Sequence, residues 1–219
     1  MVGVGTMSSI LKAFDESSEL VEELSSQIAI ILKKEILRKG FASILVSGGS
    51  TPKKLFEKLS NCSLDWTNVK VGLVDERVVD ATSLDSNENL VKTYLLKNKA
   101  SDAQFINMQN QNDLFPFDII VLGMGTDAHT ASLFPNNEKL KEAFETKDLT
   151  INITPSNAPY NRVSSTLYAI KNCEHIFLHI EGEQKFQVLQ KALKNSDIYT
   201  MPISAVLNDK DIQVEVYHT

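Results

Sequence analysis

Residues Phe117 to Pro135 read FDIIVLGMGTDAHTASLFP. Ile119-Ile120-Val121-Leu122 is a continuous apolar run that stops at Gly123 and Gly125. A strand buried on both faces of a parallel sheet has this unbroken apolar pattern, because helices cover both of its sides. Open α/β sheets hold their active sites outside the carboxyl ends of such strands. Asp127 and His129 follow there, one residue apart. The chain thus delivers a carboxylate and an imidazole together to the expected site of chemistry. A base that works near neutral pH, next to a group that orients it, is what hydrolysis or proton transfer needs.

Outward from this stretch, strand and helix patterns alternate. Leu20, Val21, Leu24, Ile28, Ile31, Leu32 and Ile36 recur at helical spacing, and Gly40 closes that helix. Ile44-Leu45-Val46 predicts a strand, and Pro52 opens a helix to about Leu59. Val69–Val74 predicts a second buried strand, Asn87–Lys99 a helix and Ala103–Asn107 a short strand. Beyond Pro135, Glu138–Glu145 is helical, Leu149–Ile153 a strand and Ser156–Arg162 a loop. His175–Ile180 predicts a strand, Glu183–Leu193 a helix and Ile212–Tyr217 a last strand, with Pro202–Leu207 ambiguous. The expected fold class is α/β: a mostly parallel, Rossmann-like open sheet with helices on both faces. No repeat or linker interrupts it, so residues 1–219 are expected to form a single domain.

Composition narrows the function. Of 219 residues, 42% are hydrophobic and 23% charged, enough for a substantial core in an ordinary globular chain. The formal charge of −6 argues against a nucleic-acid partner. An anionic ligand therefore requires local cations that outweigh the global field. Cys62 and Cys173 form no CxxC pair, which gives neither a zinc site nor a disulfide framework and fits a reducing, cytoplasmic setting. The apolar runs fall short of the roughly 20 residues of a membrane span, so no membrane association is expected. The first residues, MVGVGTMSSILKAFDESSEL, lack a basic region followed by a long apolar core, so no secretory signal is expected; Met7 is an alternative start.

Four further positions carry chemistry. Ser47-Gly48-Gly49-Ser50-Thr51-Pro52 joins a strand to a helix. Glycines let backbone N–H groups approach a ligand, Ser50 and Thr51 add hydroxyls, and a helix start adds partial positive charge. It is a phosphate cradle in design without the lysine of a P-loop, and it reads equally as a tight turn before a helix. Asp75-Glu76-Arg77 closes the second strong strand, where charged groups suit a ligand crevice or a rim ion pair. Arg162 lies in the Pro-bounded loop, and Lys185 follows Gly182 at another strand end, within reach of the Gly-rich turn if the two strands are neighbours. His175 and His179 on one strand lie about 13 Å apart, too far to share a metal, and are expected to be structural, while terminal His218 has no expected role. Gly123–Ala128 also fits GxGxxA, but the next strand ends in Ile-Thr-Pro rather than the acidic residue a dinucleotide site needs. No GxSxG elbow is present.

In this order, Ser47–Pro52, Val74–Arg77, Ser86-Asn87 with Asn89, Gly123–Pro135, Arg162 and Gly182–Lys185 resemble the 6-phosphogluconolactonase family. The thirteen-residue Gly123–Pro135 block is the most specific part. The resemblance implies hydrolysis of 6-phospho-D-glucono-1,5-lactone to 6-phosphogluconate in the oxidative pentose phosphate pathway, with no metal and no organic cofactor. It implies a small sugar-phosphate lactone as partner and a monomer or weak homo-oligomer. His129, Asp127 and Arg77 are the expected catalytic residues. Gly48, Gly49, Ser50, Thr51, Asp75, Arg162 and Lys185 are the expected substrate and phosphate ligands. The related glucosamine-6-phosphate deaminases carry a Glu where this chain has Phe134, which favours the lactonase; a deaminase/isomerase or a non-catalytic sugar-phosphate sensor is the alternative. Ala128 stands where the family usually has Gly. The backbone there is expected to be permissive; a positive φ would cost alanine about 1 kcal/mol or more.

Overall fold

The computed structural model describes residues 9–219, so Met7 lies outside the described residues. The elements are β1 (Ser9–Ala13), α1 (Ser17–Lys39), β2 (Ala42–Val46), α2 (Lys53–Leu59), β3 (Val69–Leu73), β4 (Asp75–Arg77), α3 (Asn87–Tyr94) and β5 (Gln104–Phe105). There follow β6 (Ile119–Leu122), α4 (Leu140–Glu145), β7 (Thr150–Ile153), β8 (Arg162–Ser165), α5 (Leu167–Lys171), β9 (His175–Ile180), α6 (Glu183–Ala192), α7 (Ser204–Leu207) and β10 (Val214–His218).

Seven strands form one sheet in the order β1-β10-β9-β6-β2-β3-β5, and every neighbouring pair is parallel. Side chains alternate between two cores. Ile44, Val46, Ile119 and Val121 pack with Leu20, Leu24, Ile28 and Leu32 of α1. Leu45, Ile120 and Leu122 pack on the other face with Ile170 of α5, Leu189 of α6 and Val206 of α7. Each fully buried aliphatic side chain contributes roughly 1.5–3 kcal/mol. Helices therefore cover both faces of an open, parallel α/β sheet, as the unbroken apolar runs predict. Helix α1 ends where expected: Gly40 adopts φ 87° and its N–H donates to the Ile36 carbonyl. No helix among the described residues is long and apolar enough to cross a membrane.

The order of strands decides where a ligand fits. From β2 the chain builds outward through β3 to β5; it then returns to β6 and builds the other way through β9 and β10. The direction reverses between β2 and β6, and a crevice opens at the carboxyl ends of strands at such a switch point.

A second, three-stranded antiparallel sheet, β4-β8-β7, sits over that end. It corrects two expectations. Asp75–Arg77 does not finish β3; the chain breaks at Val74, whose N–H donates to the Val46 carbonyl and whose carbonyl accepts from Ser165 N–H. Arg162 does not lie in a loop but begins β8, paired in register with Arg77. The long helix expected from Asn87 also stops at Tyr94, and a 3-10 turn spans Asn98–Asp102.

At the opposite end of the sheet Asp118 ties β2 to β6. It is 2% exposed, accepts from the Ser43 amide at 2.7 Å and from the Ser43 hydroxyl at 3.0 Å, and pairs with Lys39 at 2.6 Å. Asp118→Ala leaves that amide unpaired and breaks a buried ion pair. The expected loss is about 3 kcal/mol in denaturant unfolding; a change below about 1 kcal/mol would show the tie to be unimportant.

Candidate active site

A cleft of about 240 Å³ opens at the switch point and is lined by residues 47–52 after β2, 121–125 at the end of β6 and just beyond it, Asp75, Arg77, Asn87, His129, Ala131, His179 and Lys185. The Gly-rich turn and the imidazole, about eighty residues apart in the chain, thus face one space.

The Gly-rich turn is built for an anion. Ser47 is fixed from both sides: its N–H donates to the Val121 carbonyl and its hydroxyl accepts from Gly123 N–H. Gly49 then turns through φ 100°, a conformation that L side chains rarely adopt. Among the described residues, the amides of Gly48, Gly49, Ser50 and Thr51 donate to no protein acceptor. Successive free N–H groups in a turn of this kind make an anion-binding concavity. Lys185, near the start of α6, reaches across from β9's end, and its Nζ donates to Thr51 Oγ1 at 3.1 Å. Burial lowers the Lys185 pKa, with the Glu181 carboxylate partly offsetting it. Gly48 also packs directly on Asn87: a Cβ at residue 48 would lie 1.9 Å from Asn87 Oδ1.

The loop after β6 carries the imidazole. His129 Nδ1 lies 2.5 Å from Asp127 Oδ1, and the same oxygen accepts from the His129 amide at 3.2 Å. A carboxylate only accepts, so Nδ1 carries a proton, and in the neutral ring Nε2 is left with its lone pair. Burial pushes the Asp127 carboxyl up, but the hydrogen bond and charge of His129 outweigh this and hold it below its ordinary value. Asp127 is not among the cleft-lining residues; it touches the ring. Phe134 packs on the imidazole, with centroids 4.8 Å apart. The loop is held by Gly125 N–H to the His129 carbonyl, Ala128 N–H to the Gly125 carbonyl and Ile203 N–H to the Ala128 carbonyl.

Ala128 corrects the expectation of a permissive backbone, because its φ is 70°. The left-handed conformation costs an L residue roughly 1–2 kcal/mol. Its methyl is 1% exposed in the core below the loop, and burying a group of that size returns about 0.8 kcal/mol.

Arg77 and Asp75 also line the cleft. Arg77 Nη1 donates to the Asp85 carbonyl at 2.6 Å, and Asp75 accepts from Ser132 Oγ at 2.6 Å. Glu76, between them, turns away: its carboxylate accepts the Asn87 and Glu88 amides and the Ser86 hydroxyl at the start of α3. Arg162 is 6% exposed and does not line the cleft. It stands beside Arg77; burial and the Arg77 charge lower its pKa. The sequence reading leaves His179 out of the site, whereas the structure puts it in the cleft wall; His175, at the far end of β9, is not there. The available signal was an ionisable residue near the carboxyl end of an otherwise apolar strand.

Residues 15–216 match the family model described as glucosamine-6-phosphate isomerases/6-phosphogluconolactonase. A 6-phosphogluconolactonase of Helicobacter pylori is 40% identical over 190 residues, 80% of this chain and 83% of its own. One from Neisseria meningitidis is 37% identical over 224 residues, 94% of this chain and 96% of its own. The crystal structure of a 6-phosphogluconolactonase from Shewanella baltica superposes with a TM-score of 0.93 at 40% identity, covering 97% of this chain and 99% of that one. By sequence over nearly its whole length and by fold, this chain belongs to the glucosamine-6-phosphate isomerase/6-phosphogluconolactonase family.

Proposed function

We propose that the protein hydrolyses 6-phospho-D-glucono-1,5-lactone to 6-phosphogluconate, the second step of the oxidative pentose phosphate pathway. The observation that carries this reading is that an anion cradle and a carboxylate-held imidazole line the same cleft. The phosphate sits on the Gly48–Thr51 amides, the Ser50 and Thr51 hydroxyls and Lys185. Asp75 orders the middle of the pocket through Ser132. Arg162 acts from behind Arg77, adding positive charge to that side of the substrate.

Hydrolysis then needs a proton acceptor, an oxyanion site and a proton donor for the leaving alkoxide. Water attacks C1 of the lactone as His129 Nε2 takes its proton. Asp127 keeps the Nδ1–H tautomer and stabilises the imidazolium that forms. Arg77 faces the oxyanion on C1. The tetrahedral species collapses by breaking the bond from C1 to the ring oxygen, and His129 returns its proton to that oxygen. One imidazole thus serves as base and then acid. The residue packed on it is Phe134, an apolar ring with no proton to exchange, which favours a lactonase over a ring-opening deaminase.

The test is lactone consumption above the spontaneous rate, run beside ammonia release from glucosamine 6-phosphate. The expected result is hydrolysis of the first and no ammonia from the second. Ammonia release without lactone hydrolysis would assign the deaminase reaction instead, and tight binding without turnover would make the protein a sensor. Lys185→Met should raise KM about 10- to 100-fold, the range for losing a charge-assisted hydrogen bond, and change kcat far less. An unchanged KM would remove Lys185 from the phosphate site.

A further inference from the structure

Strand β9 brings a second histidine to the cleft. His179 is 2% exposed and lines the same cleft as Thr51 and Lys185. Its Nε2 lies 2.9 Å from Glu181 Oε1, so Nε2 carries a proton and the carboxylate accepts it. Its Nδ1 is buried and has no hydrogen-bond partner among the described residues. Buried polar atoms are nearly always paired, and an exception calls for a reason.

The charged surroundings are defined. Glu181, on the same chain segment, interacts with the Ser17 hydroxyl at the start of α1 and feels Lys54 of α2. Lys54 Nζ in turn lies 3.3 Å from Ser17 Oγ. Lys185 of α6 feels the Glu181 carboxylate. Tyr217 of β10 pairs with His179 in register, but its hydroxyl is engaged by Lys12 and lies near Glu215. His218, the next residue of β10, is stacked on Phe186.

We infer that His179 is a second ligand-binding histidine of the cleft, which becomes an imidazolium as the substrate's phosphate arrives and donates from Nδ1 to a phosphate oxygen beside Lys185. The inference rests on the sugar-phosphate reading above and adds a proton-linked grip to it. A phosphate dianion supplies a second negative neighbour on the unpaired side, so the bound complex holds the proton more tightly. Binding therefore takes up a proton. The gain in affinity is fully present at low pH and is lost as pH rises through the raised value of the complex. A phosphate monoester is largely dianionic above about pH 7, so pH dependence above that point belongs to the protein.

The test uses the full chain with its four histidines labelled with 15N in the imidazole, titrated with 6-phosphogluconate at pH 7.5. The His179 signals are identified by their loss in His179→Gln. The expected result is that Nδ1 of His179 passes from the unprotonated to the protonated shift on binding. Calorimetry in buffers of different ionisation heat should show proton uptake that His179→Gln lacks. That variant should also raise KM about tenfold at pH 7.5, with kcat moved far less. In Glu181→Gln, which keeps an acceptor for Nε2 but removes its charge, uptake should shift to lower pH. If 6-phosphogluconate binds in a Lys185-dependent way while the His179 signals stay still, this inference is overturned and the lactonase reading stands. If 6-phosphogluconate does not bind at all, both are overturned.

Discussion

His129→Ala should slow enzymatic lactone hydrolysis by about 10²–10⁴-fold, the usual contribution of a positioned general base, or roughly 3–5 kcal/mol of transition-state stabilisation. The loss should fall on kcat. The imidazole is held by Asp127, whereas the proposed phosphate ligands are the amides of residues 48–51 and Lys185, so KM should change little. Arg77 and the anion cradle remain in the variant, and residual turnover above the spontaneous rate is expected from them. Asp127→Asn should cost less than His129→Ala, because the amide still contacts the ring but no longer stabilises an imidazolium. Both variants should fold: the His129 side chain is 32% exposed and the Asp127 side chain is 51% exposed. Rates must be corrected for spontaneous hydrolysis of the lactone. A His129→Ala protein with wild-type kcat would assign the base elsewhere in the cleft.

The second large effect is expected from a single methyl group. A Cβ at Gly125 would lie 2.3 Å from both Nδ1 and Cε1 of His129 and 2.5 Å from Asp127 Oδ1. All three atoms belong to side chains, so the loop can survive by moving them. Moving them separates the base from its orienting carboxylate, and a displacement of about 1 Å typically costs on the order of 10²-fold in rate. Gly125→Ala should therefore lose about 10²-fold in kcat with only a small change in melting temperature. Gly123→Ala is the internal control. Its Cβ would have one neighbour, Ser47 Cβ at 3.8 Å, which is ordinary contact. It should retain most of its activity. Equal effects from the two substitutions would show that the loop tolerates no side chain for reasons unrelated to the imidazole.

Some of this architecture is legible in the residues and some is not, for physical reasons. Strands β6 and β9 announce themselves because burial on both faces requires unbroken apolar runs, and α1 because its inner stripe repeats every turn. Strand β1, SILKA, is an edge strand with exposed Ile10 and Leu11, so it lacks the pattern of a buried strand. Strands β4 and β8 are short and polar, so neither shows the apolar run of a buried strand although β8 is largely buried; they are held by pairing with each other, and β8 also by pairing with β7. The Asp127–His129 couple is readable because its members are two residues apart. Lys185 is readable only if β9 lies near β2, which the sheet order provides with β6 between them. Placing His179 needs the same knowledge, since a histidine in an apolar strand otherwise reads as core. The positive φ of Ala128 has no trace in the chain, because alanine is the wrong residue to signal it.

The central claim is that one sugar phosphate spans the cleft, phosphate on the Gly-rich turn and C1 at the imidazole. A crystal structure with 6-phosphogluconate tests it most directly. The account predicts phosphate oxygens on the amides of residues 48–51 and on Lys185, with the C1 carboxylate within about 3.2 Å of His129 Nε2. A phosphate seated beside His129 with C1 at the Gly-rich turn, or a ligand bound outside the cleft, would contradict it.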